Sequence, residues 1–421
     1  MSETRPPADG YMRYRRPLKD RLGRGDRSAL GVWFWELDRL LLALIVTLVA
    51  IGLLAVAAGS PASARRLSDA TGQLSPLYFF YRQLFWVALS LPLMLFISMF
   101  PRAQLRRGAI IGFCVVLALM FLVPLIGKEV NGARRWIGYG FAAIQPSEFL
   151  KPLFALTLAW LLSLRAREPD LPLALVGGLI LAIVGSLLML QPDLGQTIMF
   201  VGIWFAVMWV AGLDLRRAAS LVTLGIAGLV TAYFTYGVAR QRIDGWLFGG
   251  TENDQTDLAL RTLTAGGVIG TGPGLGTRKF SLPEAHTDYI FSVIGEEFGL
   301  IACAIIALIY FALIVRICLR LLDEEDNFTI LAVTGLAAQL GGQAFINIAV
   351  NLHLFPSKGM TLPFISYGGS SMLALAITSG LLLGLTRRNP YAAGLGARPV
   401  AGKSRSAGVD RKAADVTGRR A

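Results

Sequence analysis

Ten stretches of this chain are apolar for close to the roughly 20 residues a helix needs to cross a hydrocarbon layer. They run near Leu40–Ala58, Tyr78–Phe100, Gly108–Ile126, Pro146–Leu164, Pro172–Leu190, Thr197–Leu213, Ala218–Tyr236, Tyr289–Val315, Thr329–Leu352 and Phe364–Leu385. In lipid every backbone N–H and C=O needs a partner within the protein, which leaves helices as the solution for such runs. Composition agrees: 54% of residues are hydrophobic and only 16% charged, with a mean hydropathy of +0.58. The expected fold is therefore all-α and polytopic, with about ten transmembrane helices and a large exported loop between the seventh and eighth. Thr197–Leu213 is the weakest of the ten, being short and punctuated by glycine.

The net charge of +13 is placed in a way that sets orientation. Nine Lys/Arg lie in the first 39 residues and nine follow Thr386. The connectors at Arg102/Arg106/Arg107, Arg165/Arg167, Arg216/Arg217 and Arg316/Arg320 fall on the same side as both tails, and the positive-inside rule makes that side cytoplasmic. Residues 1–38 and 389–421 are then basic cytoplasmic tails around a membrane domain spanning 39–388, whose long loop covers 237–288. Basic tails in such a chain fit membrane-surface or partner contacts, not nucleic acid. Ala62-Ser63-Ala64 resembles a signal cleavage site, but the long basic region before Leu40–Ala58 fits an uncleaved span better. Cys114, Cys303 and Cys318 sit apart in apolar segments and read as core residues.

Chemistry concentrates in Leu282–Gly299, LPEAHTDYIFSVIGEEFG, where Glu284, His286, Asp288, Glu296 and Glu297 open an apolar helix. Carboxylates at membrane depth cost several kcal/mol, so they mark functional candidates. On a continuous helix Glu296 lies about 80° from Asp288 and Glu297 about 180° away. Glu296 is thus expected to share a cavity with Asp288, and Glu297 to meet another helix. Ser292, Gly295 and Gly299 complete a stripe that fits close helix packing.

A second cluster opens the fourth helix. Gln145-Pro146-Ser147-Glu148 is a helix start, and Lys151 lies one turn on, closely following Arg134 and Arg135. Such a corner could hold an anionic headgroup such as a pyrophosphate, or Glu148 and Lys151 could form a structural ion pair. The ninth helix spaces Gln339, Gln343, Asn347 and Asn351 by four, a polar stripe that must face the bundle interior. GARPVAGKS at 396–404 spaces its glycines too widely for a phosphate loop, and the glycine-rich 266–276 follows no strand, so neither supports nucleotide use.

Together NGARRWIGYGFAAIQPSEFLK (131–151), QPDLG (191–195), PEAHTDYIFSVIGEEFG (283–299) and FPSKGMTLPFISYGGSS (355–371) resemble the SEDS family, named for shape, elongation, division and sporulation. The likeness spans Leu40 to Arg388 and is nearest the division branch. Gln196 departs from relatives that pass from QPDLG directly to threonine. The resemblance implies a bacterial inner-membrane glycosyltransferase, acting at the septum on the periplasmic side, that polymerises lipid II with undecaprenyl pyrophosphate as leaving group. It implies Asp288 as the catalytic base, with Arg135 and Lys151 on the leaving group. Arg134, Glu148, His286, Glu296, Lys358 and Ser370 join them as candidate substrate-binding residues. Its implied partners are a class B penicillin-binding transpeptidase (FtsI at the division site) and other division-site proteins. A divalent cation stays open, with no ligand cluster to hold it. Three alternatives remain at this point: a lipid II flippase, an elongation-type polymerase and a noncatalytic scaffold.

Overall fold

The computed structural model describes residues 29–388, apart from 131, 132, 139, 141, 142, 167, 169, 236, 249–254 and 358. By internal contacts Leu37–Arg387 is a compact unit of its own, and it carries everything below. Outside it a short helix, α1 (Ala29–Glu36), is described.

All ten apolar runs are helical. They form α2 (Arg39–Thr71), α3 (Tyr78–Ser98), α4 (Arg102–Ile126), α5 (Pro146–Ser163), α6 (Leu173–Leu190), α7 (Leu194–Val210) and α8 (Leu215–Thr235), then, after the long connector, α11 (Ile290–Leu321), α12 (Asn327–Asn351) and α13 (Gly369–Leu385). Among the described residues six of these are long and apolar enough by themselves to cross a membrane. The others are shorter or, like α5, begin with a charged turn. The connector expected as one long loop holds two further helices, α9 (Gly237–Phe248) and α10 (Gln255–Ala265). A small antiparallel hairpin, β1 (Lys128–Val130) and β2 (Ala133–Trp136), links α4 to α5.

α5 is the axis of the bundle. It packs against α4, α12, α7, α13 and α6, and its Leu150, Phe154, Ala155, Leu156 and Ala159 are fully buried. A helix buried on every side has no solvent or lipid face for charge. Its Glu148 and Lys151 are thus held among other protein groups. Apolar side chains on outer helices, such as Leu119, Phe121 and Leu125 of α4, stay exposed as a lipid-facing surface requires.

Two boundaries differ from the expectation, each for a local reason. The tenth run begins irregularly, and α13 starts only at Gly369, because 364–368 is used to hold a neighbouring turn. α11 starts at Ile290, so Asp288 precedes the helix, and α11 is broken at Gly299, whose φ of 81° and ψ of 176° are not helical. The break is possible because the glycine-rich segment 266–276 lies alongside. Thr271 N donates to Glu296 O at 2.9 Å and Gly272 N to Glu297 O at 3.0 Å, while Leu300 N and Ile301 N donate to Gly267 O and Val268 O at 3.0 and 3.2 Å. Four of the groups at the break thus find partners in the neighbouring segment, as buried backbone needs.

Candidate active site

Asp288 sits in a turn, 284–289, that is held from three directions. Within the turn Thr287 N and Tyr289 N both donate to Glu284 O, at 3.1 and 3.3 Å. From α12, Asn347 and Asn351 each donate an amide N–H to the Asp288 carbonyl, at 2.9 and 3.1 Å. Asn351 Oδ1 also accepts from Ser292 N at 3.1 Å and Ser292 Oγ at 2.7 Å. It thereby supplies an acceptor to the first turn of α11, whose leading N–H groups have none within the helix. From the segment before α13, Ser366 Oγ donates to Thr287 O at 2.6 Å and Tyr367 N to His286 O at 2.9 Å. Tyr289 OH adds contacts to Ser357 and Gln255 at 2.9 and 3.3 Å.

The result is a partly buried Asp288 whose backbone is fixed and whose carboxyl lies beside Gly359. A Cβ at 359 would lie 3.4 Å from Asp288 Oδ2, in ordinary van der Waals contact. Lys358, the cation expected from the same loop, lies outside the described residues.

His286 serves the turn from behind. Its Nδ1 is 2.7 Å from Ser63 Oγ of α2, and its ring lies 4.1 Å from Phe79 and 5.2 Å from Tyr367, centroid to centroid. Burial among these rings, with the nearby Arg82 charge, pushes its pKa down to about 4. A neutral ring held between Ser63 and two aromatic rings is suited to positioning the turn.

Glu296 does not share Asp288's surroundings, contrary to the spacing argument, because Asp288 is off the helix on which that argument relied. Its carboxylate accepts from the backbone N–H of Arg278 at 2.6 Å and of Lys279 at 2.9 Å, at the start of a short 3-10 helix, Arg278–Phe280. Glu297 accepts from Gly274 N at 3.1 Å and pairs with the buried Lys279, whose Nζ also donates to Ala58 O at 2.9 Å. Both acids therefore anchor the long connector onto α11 and α2. Lys279 escaped the sequence reading because nothing in local spacing ties it to an acid 18 residues later.

The basic corner is divided. Arg134, on β2, is exposed and pairs with Glu129 at 3.5 Å. Arg135 lies 3.6 Å from Asp193 and donates Nε to Gln191 O at 3.0 Å and an NH2 group to Pro192 O. Lys151 is completely buried. Its three donors are taken by both Glu148 oxygens at 2.9 Å and by Gln343 Oε1 at 3.1 Å. Glu148 accepts in addition from Gln196 Nε2 at 2.6 Å, and Gln196 N donates to Asp193 Oδ1 at 3.3 Å. Arg135, Asp193, Gln196, Glu148, Lys151 and Gln343 thus form one network that excludes Arg134. Asp193 and Gln196 were visible only as part of the QPDLG run and its one departure. Gln343 passes the network on to Thr361, whose hydroxyl is 3.0 Å from Ser371 Oγ. Ser370 is buried nearby in sequence, and its hydroxyl makes no hydrogen bond among the described residues. No group of three or more His, Cys, Asp or Glu side chains comes together among the described residues.

Residues 38–391 match the family described as cell cycle proteins, FtsW/RodA/SpoVE. A protein of Caulobacter vibrioides named "Probable peptidoglycan glycosyltransferase FtsW" is 39% identical over 373 residues, which covers 88% of this chain and 94% of that one. The protein of the same name from Halorhodospira halophila is 37% identical over 377 residues, covering 86% and 92%. Among solved structures, a chain from work on structural coordination of polymerization and crosslinking by a peptidoglycan synthase complex aligns with a TM-score of 0.67 at 28% identity, covering 83% of this chain and 97% of that one. RodA of Thermus thermophilus aligns with a TM-score of 0.61 at 30% identity, covering 83% and 96%. Motifs, ten-helix bundle and relatives agree: this chain belongs to the FtsW/RodA/SpoVE family of cell cycle proteins.

Proposed function

We propose that this peptidoglycan glycosyltransferase polymerises lipid II at the division septum, with Asp288 as the general base. Asp288 takes the proton from the 4-hydroxyl of the acceptor GlcNAc, and the oxygen attacks C1 of the donor MurNAc. The C1–O bond to undecaprenyl pyrophosphate breaks with inversion. One observation carries the assignment. Two asparagine side chains, Ser366 and Tyr367 of the 364–368 stretch and the turn's own hydrogen bonds fix the backbone around Asp288, while a glycine lies beside its carboxyl. Such effort at one carboxylate is preorganisation, which general acid–base chemistry rewards.

Arg135, partly exposed at the end of the polar network, is the cation that reaches toward the leaving pyrophosphate. Lys151 acts from within, by holding Glu148 and Gln343 in place, since all its donors are engaged. A class B transpeptidase is the proposed partner. The support is a structural neighbour that comes from a peptidoglycan synthase complex.

The test is polymerisation of purified lipid II by the detergent-solubilised protein. Asp288→Asn keeps the shape and the backbone contacts but removes the base, which contributes typically 10²–10⁴-fold. It should bind lipid II and make almost no polymer. Wild-type-like polymer from Asp288→Asn would remove this residue from the mechanism. A wild-type protein that moves lipid II across vesicles without ever polymerising it would instead establish a flippase.

A further inference from the structure

α2 is 33 residues long, about 50 Å at 1.5 Å per residue, whereas a hydrocarbon layer is about 30 Å thick. Its last turns therefore overrun the membrane, and they do so beside the catalytic turn. Ser63 in this overrun touches His286, two residues before Asp288. Arg65 and Arg66 stand up to one helical turn further out, both exposed. Arg66 donates an NH2 group to Ser281 O at 3.2 Å, and the Arg65 guanidinium lies 5.9 Å from the Phe280 ring. Arg278, in the same 3-10 helix as Phe280, is exposed as well.

None of these three arginines has a carboxylate partner among the described residues. Their neighbour Lys279 differs, being buried against Glu297. Of the acids near this face, Glu284 accepts from Thr287 Oγ1 at 2.8 Å, and the side chain of Asp69, one turn beyond Arg65 and Arg66, lies outside the described residues. On the proposed orientation the patch faces outward, where the positive-inside rule disfavours arginine. Three exposed arginines collected there, with one acid close to them in the sequence of α2, leave a net positive patch that suits an anion.

We infer that Arg65, Arg66 and Arg278 form a product-side subsite for the carboxylates on the stem peptides of the growing glycan strand. The inference rests on the lipid II polymerase reading above. A strand leaving the Asp288 turn passes the overrun of α2, and each disaccharide brings a peptide bearing carboxylates. Arginine forks match carboxylates in geometry and charge. Exposed pairs are individually weak and screened by salt. That weakness suits a strand that must slide forward by one disaccharide per cycle yet stay attached.

The test reads glycan length from full-length protein in detergent, with lipid II as the only substrate. In Arg65→Gln/Arg66→Gln/Arg278→Gln, mean strand length should fall severalfold more than the rate of lipid II consumption falls. Raising salt should shorten wild-type strands in the same direction and affect the variant less. The Lys triple variant keeps the charges and should recover most of the length, which a mere folding defect in the Gln variant would not predict. A Gln variant whose length falls only in step with consumption overturns the inference alone. So does a length defect that appears only in vesicles containing anionic phospholipid, since the arginines would then bind lipid headgroups. A wild-type enzyme that makes no polymer overturns the proposed function and this inference with it.

Discussion

At the scale of single residues, Lys151 separates a structural from a direct role most cleanly. Removing one partner of a buried ion pair leaves an uncompensated charge and costs about 3–5 kcal/mol, whereas removing both charges together can be nearly neutral. Lys151→Met should therefore lower the yield of folded protein, with Glu148 left stranded beside Gln196. Lys151→Met/Glu148→Gln should restore folding, read by size-exclusion profile and thermal midpoint. Polymer from that double variant would show that the pair serves folding alone; a folded, inactive one would place the charges in the reaction. His286 makes a prediction about pH. Its folded pKa of about 4 lies below the ordinary 6.5, so between those values the unfolded chain holds a proton that the folded ring refuses. Stability is then fully present above pH 6.5 and declines as pH falls toward 4. Thermal midpoints across that window should drop more steeply for wild type than for His286→Gln, which has nothing to titrate. The sequence singled out Asp288 and His286 as candidates, and the structure places both in one turn. It could not show that His286 turns inward to Ser63, because that contact joins residues 223 positions apart.

At the scale of elements, the acids of α11 teach how far periodicity reaches. The 100° wheel assumes one continuous helix, but Asp288 lies before it and Gly299 breaks it, so Glu296 never faces Asp288. Both departures come from partners distant in sequence: Asn347 and Asn351 shape the turn, and the 266–276 segment stabilises the break. Neither was readable from local spacing, although the glycines of 266–276 were conspicuous. Their purpose is close approach. At Gly270, φ is 85° and an added Cβ would lie 2.2 Å from Glu297 O. Gly270→Ala combines a disfavoured left-handed backbone, about 1–2 kcal/mol, with a backbone collision that cannot relax by side-chain rotation. It should detach the segment from α11 and raise amide exchange at Thr271, Gly272, Leu300 and Ile301 together. Unchanged protection at those four amides would mean that the pairing is dispensable. The amide stripe of the ninth helix was legible as inward-facing. Its division of labour was not: Gln343 serves Lys151, while Asn347 and Asn351 serve Asp288.

At the scale of the whole molecule, apolar run length alone located the ten helices, because lipid permits so few alternatives to the helix. What it could not supply was which helix is central. α5 carries two charges in its first turns and so reads as a poor span, yet it is the most enclosed, since Lys151 and Glu148 neutralise each other and Gln196 and Gln343, from α7 and α12, hydrogen-bond to the pair. The orientation of the bundle rests on the placement of charge, and it is open to a direct test. Both tails and the connectors at 102–107, 165–167, 216–217 and 316–320 are rich in Lys/Arg. Connector charge within 15–20 residues of helix ends decides which side is retained in the cytoplasm. The opposite end holds the Asp288 turn, the Arg65/Arg66/Arg278 patch and the connector at 237–287. That end must face outward if the enzyme builds wall outside the membrane. A reporter active only after export, fused within the 237–287 connector, should be active. The same reporter fused after Arg388 should be silent. A cytoplasm-only reporter should give the reverse pattern. If the 237–287 fusion reports cytoplasm, the Asp288 turn is on the wrong side for polymer synthesis, and both the proposed function and the strand subsite fail with it.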